Sequence, residues 1–171
     1  MKSSHKNHTR RAGLEDERAI KSLLLSAFED SEGLHLPLEA TKKNADNFYA
    51  FEIRPAIING DPIYITHAGP FEMPSTPIAF SCCSTCVNKI YDLKEKLAIG
   101  VITVISKPYR NQGIATELHG RVLARLKEEG VAKVMTEISL KNKPSLNSCL
   151  NIINKEELEY LVVANKYECK I

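Results

Sequence analysis

A short loop between an apolar run and a long helical pattern carries the clearest chemical signal in the sequence. It reads Arg110-Asn-Gln-Gly-Ile-Ala115. Gly113 has no side chain and Ala115 only a methyl group, so a ligand can approach the backbone closely at both positions. The helix that begins here presents unpaired N–H groups and the positive end of its dipole, which favours phosphate, and Arg110 adds a cation. On this evidence alone, the loop is either an anion site or an ordinary tight turn.

The loop lies within a strand, loop, helix, strand unit. The apolar run Leu97–Ile105 predicts a strand, a helical pattern follows to Glu129, and Val131–Leu140 predicts a second strand. Gly130 is placed where a left-handed residue commonly ends a helix. One stripe of the helix is apolar and is expected to face a sheet, through Ile114, Leu118, Val122, Leu123 and Leu126.

This unit resembles motif A of the GNAT family of N-acetyltransferases. That motif reads Gln/Arg-x-x-Gly-x-Gly/Ala, and Arg110, Gly113 and Ala115 fill its three fixed positions. The segment Glu137-Ile-Ser-Leu-Lys-Asn142 also looks like the family's fifth strand, which ends on an asparagine. The resemblance covers the chain from about Leu97 to Leu150, and the flanks match only in the order of their elements.

The resemblance implies that the co-substrate is acetyl-coenzyme A and that the partner is an amine. The coenzyme pyrophosphate would be held by Arg110, Asn111, Gln112, Gly113, Ile114, Ala115 and Thr116. The pantetheine arm would pair with the main chain of Thr103, Val104 and Ile105, and its far end would touch Asn142 and Ser145. A backbone N–H near Ile105 would stabilise the oxyanion of the tetrahedral intermediate.

Glu137 is the candidate general base. It lies five residues before Asn142, where family members that acetylate protein N-termini carry a glutamate, and an attacking amine must lose a proton. A purely structural glutamate on an exposed strand face is the alternative. In relatives the region between the first two helices helps to shape the acceptor pocket. Acidic residues here could attract an amine or belong to a solvated loop, and the region contains Glu29, Asp30, Glu32 and His35.

Cys149 marks a departure from the family pattern. The family has a tyrosine at this position, commonly the acid toward the departing thiolate, and the Gly-Phe that usually follows is also missing. The thiol could replace that acid, become acetylated itself, or only pack with Leu146, Leu150 and Ile153 at helical spacing. If packing is its only role, the departing thiolate would take its proton from water or from another tyrosine, of which Tyr160 is the nearest in sequence. The alternative function is therefore a catalytically impaired acyl-coenzyme A-binding regulatory module.

The remaining elements predict an α/β (α+β) fold. The predicted elements before the motif are strand Thr9–Ala12, helix Leu14–Phe28 (buried through Ile20, Leu23, Leu24 and Phe28), a weaker helix Leu38–Phe51, strands Ala56–Asn59 and Ile63–His67 around an Asn59-Gly-Asp-Pro62 hairpin turn, and strand Pro77–Val87. After the motif, Asn142 caps a helix that starts at Lys143, and strands Tyr160–Ala164 and Tyr167–Ile171 follow. The resemblance implies a single GNAT-like domain over residues 1–171, with a mixed central sheet flanked by helices and splayed fourth and fifth strands.

Composition excludes several classes of protein. No apolar run reaches the roughly 20 residues of a membrane span, and the N-terminus lacks a secretory signal, so we expect a cytoplasmic protein. The net charge is +2, and the excess basic residues lie in the first eleven positions, of which residues 1–8 are predicted to form a flexible tail. No nucleic-acid or metal site is expected.

The Cys82-x-x-x-Cys86 segment contains a C-x-x-C, but Cys82 shares a strand face with Phe80 and behaves there as a small apolar residue. A homodimer stays open.

Overall fold

The computed structural model describes residues 7–30, 41–69, 76–87, 96–131, 133–139, 142–153 and 159–165. In chain order the elements are β1 (His8–Arg11), a 3-10 turn (Leu14–Asp16), α1 (Glu17–Glu29), α2 (Lys42–Phe48), a π turn (Tyr49–Ile53), α3 (Arg54–Asn59), β2 (Ile63–Ala68), β3 (Thr76–Val87), β4 (Lys96–Ile105), a second 3-10 turn (Lys107–Tyr109), α4 (Ile114–Glu128), β5 (Lys133–Ser139), α5 (Lys143–Ile153) and β6 (Glu159–Asn165).

The six strands form one mixed sheet in chain order, from β1 to β6. Strands β1 to β4 pair antiparallel through successive neighbours. Strands β4 and β5 are parallel, with α4 as the crossover, and β5 and β6 are also parallel. The predicted mixed sheet flanked by helices is confirmed.

Both faces of the sheet are covered by apolar packing. On one face, Phe80, Ile102 and Val104 pack with the buried side of α1, whose predicted residues Ile20, Leu23, Leu24 and Phe28 are all buried. On the other face, Ala98 and Val134 pack against α4. The predicted stripe of α4 is confirmed, since Ile114, Leu118, Val122, Leu123 and Leu126 are each at most 3% exposed. Among the described helices, none combines the length and apolarity needed to cross a membrane.

The predicted strand Ala56–Asn59 is wrong. This segment forms the helix α3, which continues from α2 through the π turn. Ile53 of the π turn and Ala56 of α3 are both buried in the core cluster against the sheet. Gly60 adopts a left-handed conformation with φ of 79° and ends α3, so the Asn59-Gly60 pair is a helix terminus rather than a hairpin turn. Strand β2 follows directly, as predicted for Ile63–His67. The predicted strand Tyr167–Ile171 lies outside the described residues.

Candidate active site

Strands β4 and β5 part beyond their first four residue pairs. Pairing runs from Leu97↔Lys133 to Gly100↔Thr136 and ends there. Strand β4 continues to Ile105, and β5 continues to Ser139 while it remains paired with β6. The two strands therefore leave a gap at their carboxyl ends, which confirms the expected splay of the fourth and fifth strands.

A β-bulge in β4 lies where this gap begins. Cys82 of β3 pairs with Ile102, but Cys83 pairs with Gly100, so Val101 is the extra residue. A bulge bends its strand and reverses the alternation of its side chains. That reversal is visible in the packing, because Ala98 lies in the α4 cluster and Ile102 in the α1 cluster. The bulge thus accounts for the divergence of β4 from β5.

Beyond the bulge, alternate residues of β4 direct their main chain into the gap. The N–H of Ser106 donates to the carbonyl of Ile78 on β3, at 2.8 Å. Because antiparallel neighbours alternate in direction, Val104 also faces β3, whereas Thr103 and Ile105 face away from it, toward the gap. The side chain of Val104 is 3% exposed in the core. Of the three predicted pantetheine-binding residues, the geometry thus favours Thr103 and Ile105 and gives Val104 a core role.

The loop before α4 presents a run of open backbone amides beside the gap. Asn111 and Gly113 both have positive φ, at 61° and 80°, and the first helical hydrogen bond runs from Glu117 N–H to the Gly113 carbonyl. Within the described part of the chain, the amides of residues 111–116 donate no hydrogen bond. Successive N–H groups in such a turn form an anion-binding concavity at the positive end of a helix. Ile114 contributes only its amide, because its side chain is buried.

Arg110 is held inward instead of standing as an unpaired cation at the rim. Its Nε donates to the carbonyl of Ile105 at 3.1 Å, and its Nη1 lies 2.5 Å from Oδ2 of Asp30. The Asp30 side chain is only 15% exposed at the end of α1. This ion pair joins the end of α1 to the end of β4 and to the loop before α4. The sequence left open whether Asp30 attracts an amine or belongs to a solvated loop, and the structure pairs it with Arg110. Glu32 and His35 lie outside the described residues.

The other predicted residues lie at the far side of the gap. Glu137 is the first residue of β5 beyond the last β4 pair, and its backbone pairs with Val163. Its side chain lies outside the described part. Asn142 caps α5 as predicted, since its Oδ1 accepts from the N–H of Ser145 at 3.2 Å. The cap places both residues at the start of α5, just after β5.

Cys149 is a buried free thiol on α5. Burial raises the pKa of this thiol, so it is protonated near neutral pH. A protonated thiol can donate a proton but is a poor nucleophile, which disfavours the acetyl-cysteine route. The predicted apolar face of α5 is wrong at Leu150, which is 47% exposed.

Sequence reasoning missed His119. Its Nε2 lies 2.9 Å from Oγ1 of Thr103, which in turn lies 2.8 Å from Oγ of Ser81. Burial lowers the pKa of His119, so its imidazole is neutral near pH 7. The available sequence signal was a titratable residue directly beside the apolar stripe of α4, which does not reveal its partner on β4.

Residues 71–148 match the family model described as the acetyltransferase (GNAT) family. The resemblance to the GNAT family is thereby confirmed. No curated protein matches the chain. The fold is similar to that of an N-acetyltransferase from Staphylococcus aureus Mu50, at 16% identity and a TM-score of 0.64, over 86% of this chain and 82% of that one.

Two further solved structures show the same GNAT fold. The yncA protein from Salmonella typhimurium, solved with its cofactor acetyl-CoA, is 13% identical with a TM-score of 0.63, over 85% of this chain and 78% of that one. Glucosamine-6-phosphate N-acetyltransferase from Arabidopsis thaliana is 14% identical with a TM-score of 0.59, over 95% of this chain and 99% of that one. At these identities the likeness establishes the fold.

Proposed function

We propose that this GNAT-fold chain is an acetyl-coenzyme A-dependent N-acetyltransferase that transfers the acetyl group directly to a primary amine. The observation that carries the proposal is the run of open amides at 111–116 beside the gap between β4 and β5. One part can bind phosphate and the other offers strand-like main chain, as a pyrophosphate joined to an amide-containing arm requires. The free thiols of Cys82 and Cys149 fit a reducing, cytoplasmic setting.

Each part of the site has a distinct task in this proposal. The amides of 111–116 donate to the pyrophosphate, and the main-chain groups of Thr103 hold the pantetheine arm. Ile105 offers only its N–H, because its carbonyl already accepts from Arg110. Acetyl-coenzyme A supplies the activated thioester. The N–H of Ile105 points into the gap, where it can stabilise an oxyanion.

The transfer needs a base for the attacking amine and an acid for the departing thiolate. Glu137 removes the proton from the attacking amine, directly or through water. The departing thiolate takes a proton from water or from a nearby acid, for which Cys149 is the protonated candidate on α5.

The competing function is an acyl-coenzyme A-binding module without transfer chemistry, which the absent tyrosine favours. Release of free thiol from acetyl-coenzyme A separates the two functions. The assay needs a panel of amines that includes peptides, free amino acids, polyamines, amino sugars and aminoglycosides. Amine-dependent thiol release supports the transferase. Coenzyme binding without release for any amine supports the binding module.

Replacing Cys149 by alanine distinguishes a proton donor from a packing residue. We expect Cys149→Ala to keep its turnover and to lose about 1 kcal/mol of unfolding free energy, the cost of a modest core truncation. Steady-state kinetics and thermal unfolding measure the two effects, and Asn147→Ala, at an exposed position of the same helix, is the comparison. A hundredfold loss of rate in a well-folded Cys149→Ala protein would instead make the thiol the acid.

The ion pair between Asp30 and Arg110 is expected to lower the affinity for acetyl-coenzyme A. We expect Asp30→Asn to tighten the binding of acetyl-coenzyme A several-fold at low salt, because it removes a negative charge near a polyanion and releases Arg110. Glu29→Gln makes the same change of charge one residue away and controls for the general electrostatic effect. Calorimetry at low and high salt measures both variants. Weaker binding by Asp30→Asn than by Glu29→Gln would show that the ion pair holds Arg110 in its binding position.

A further inference from the structure

Three polar side chains connect α4 to the middle of the sheet. Ser81 on β3, Thr103 on β4 and His119 on α4 form a hydrogen-bonded chain with steps of 2.8 and 2.9 Å. Ser81 is 2% exposed, and the imidazole is neutral because burial lowers its pKa. A neutral imidazole has one donor and one acceptor nitrogen, so either tautomer can bond the Thr103 hydroxyl.

This chain of side chains lies between the two halves of the proposed coenzyme site. Thr103 directs its main chain into the gap, where the pantetheine arm would lie. His119 is on the helix whose first turn presents the phosphate-binding amides, six residues after Gly113, which corresponds to about 9 Å along an α-helix. The imidazole therefore connects the element that binds phosphate to the strand that would bind the arm.

The hydrogen bond of His119 adds a directional contact to a helix face that is otherwise apolar. The hydrophobic effect itself is non-directional, so the apolar stripe restrains the axial position of α4 only through the shapes of its side chains. A hydrogen bond at 2.9 Å is sensitive to distance and angle, and therefore fixes the axial position of α4 relative to β4.

We infer that His119 is a positioning residue, which acts through Thr103 to set the spacing between the phosphate loop and the pantetheine-binding segment of β4. The inference rests on the proposed function. A ligand that binds through two linked parts gains affinity only when both parts can engage at once, whereas each part alone does not depend on the spacing.

The test compares the whole coenzyme with its fragments by calorimetry. The ligands are coenzyme A, adenosine 5′-diphosphate 3′-phosphate and pantetheine. We expect His119→Leu to weaken the binding of coenzyme A by about tenfold and to leave the affinity for each fragment unchanged. Only the linked ligand depends on the spacing between the two parts of the site. His119→Gln should restore the affinity for coenzyme A, since its amide can bond Thr103. Gly120→Ala, at the adjacent exposed position with open space around it, is the control.

A near-isosteric second variant, Thr103→Val, keeps the test decisive if His119→Leu fails to fold. It removes the same hydrogen bond and should reproduce the selective loss for the whole coenzyme. Equal weakening of fragments and whole coenzyme, or unchanged binding of coenzyme A by folded Thr103→Val, overturns the inference. If the wild-type chain binds coenzyme A, these outcomes leave the proposed function intact. If the wild-type chain binds neither coenzyme A nor fragments, the proposed function itself fails.

Discussion

We expect Gly113→Val to weaken binding of acetyl-coenzyme A by about a hundredfold, as the loss of one or two hydrogen bonds to a charged group would do. Gly113 has φ of 80°, a conformation that is strained for a β-branched residue, so the loop should relax and turn its amides away from the pyrophosphate. A Cβ atom at this position meets no protein atom within 4 Å. The loss of affinity would therefore come from the backbone and the ligand, not from a clash within the fold.

Gly130 provides the matched control at the other end of the same helix. It has φ of 71° and also has open space around its Cα. Gly130→Val should lose a similar free energy of unfolding but keep its affinity for the coenzyme. Calorimetry and thermal unfolding of both variants make the comparison. Unchanged affinity in Gly113→Val, or an equal loss in both variants, would contradict the assignment of the loop.

The second large effect is expected at Glu137. If this residue is the base, Glu137→Gln should lower turnover near neutral pH by about a hundredfold or more, the usual contribution of a positioned base. The difference in turnover between the two proteins should narrow at high pH, because the protonated amine then loses its proton to solvent without a base from the protein. Affinity for acetyl-coenzyme A should change little. A pH–rate profile of both proteins, with the best amine from the panel, measures the effect.

Glu117→Gln is the control for this substitution. Glu117 lies on the first turn of α4, near the phosphate loop, and pairs with Arg121 on the exposed side. The Glu117→Gln protein should keep the turnover of the unsubstituted protein at every pH. A loss in Glu137→Gln that is equal at all pH values would make Glu137 structural, and no loss would mean that bulk water accepts the proton.

The sequence predicts most elements of this fold because their signals are local. The apolar stripe of α4, the strand before it and the cap at Asn142 each depend on residues within a few turns of one another. The error at Ala56–Asn59 has the same origin. An Asn-Gly pair suits a hairpin turn and a helix end equally well, and only the burial of Ile53 and Ala56 against the sheet decides between them.

In the candidate site, too, only the features formed by residues close in sequence could be predicted. The phosphate loop is contiguous in sequence, so its residue types were sufficient to propose it. The bulge at Val101 decides which β4 residues face the gap, and it becomes visible only in the pairing with β3. The contacts of Arg110 with Asp30 and of His119 with Thr103 join distant parts of the chain. Local patterns carry no information about such pairs.

In the proposed complex, the pyrophosphate of acetyl-coenzyme A lies on the amides of 111–116 and its arm lies in the gap between β4 and β5. A titration of the 15N-labelled protein with coenzyme A, followed by amide NMR, tests this claim directly. We predict the largest shifts at residues 111–116 and at Thr103 and Ile105, with little change at Gly130. Shifts concentrated in the groove between α1 and α2, where Arg18 and Lys42 could also attract an anion, would contradict it.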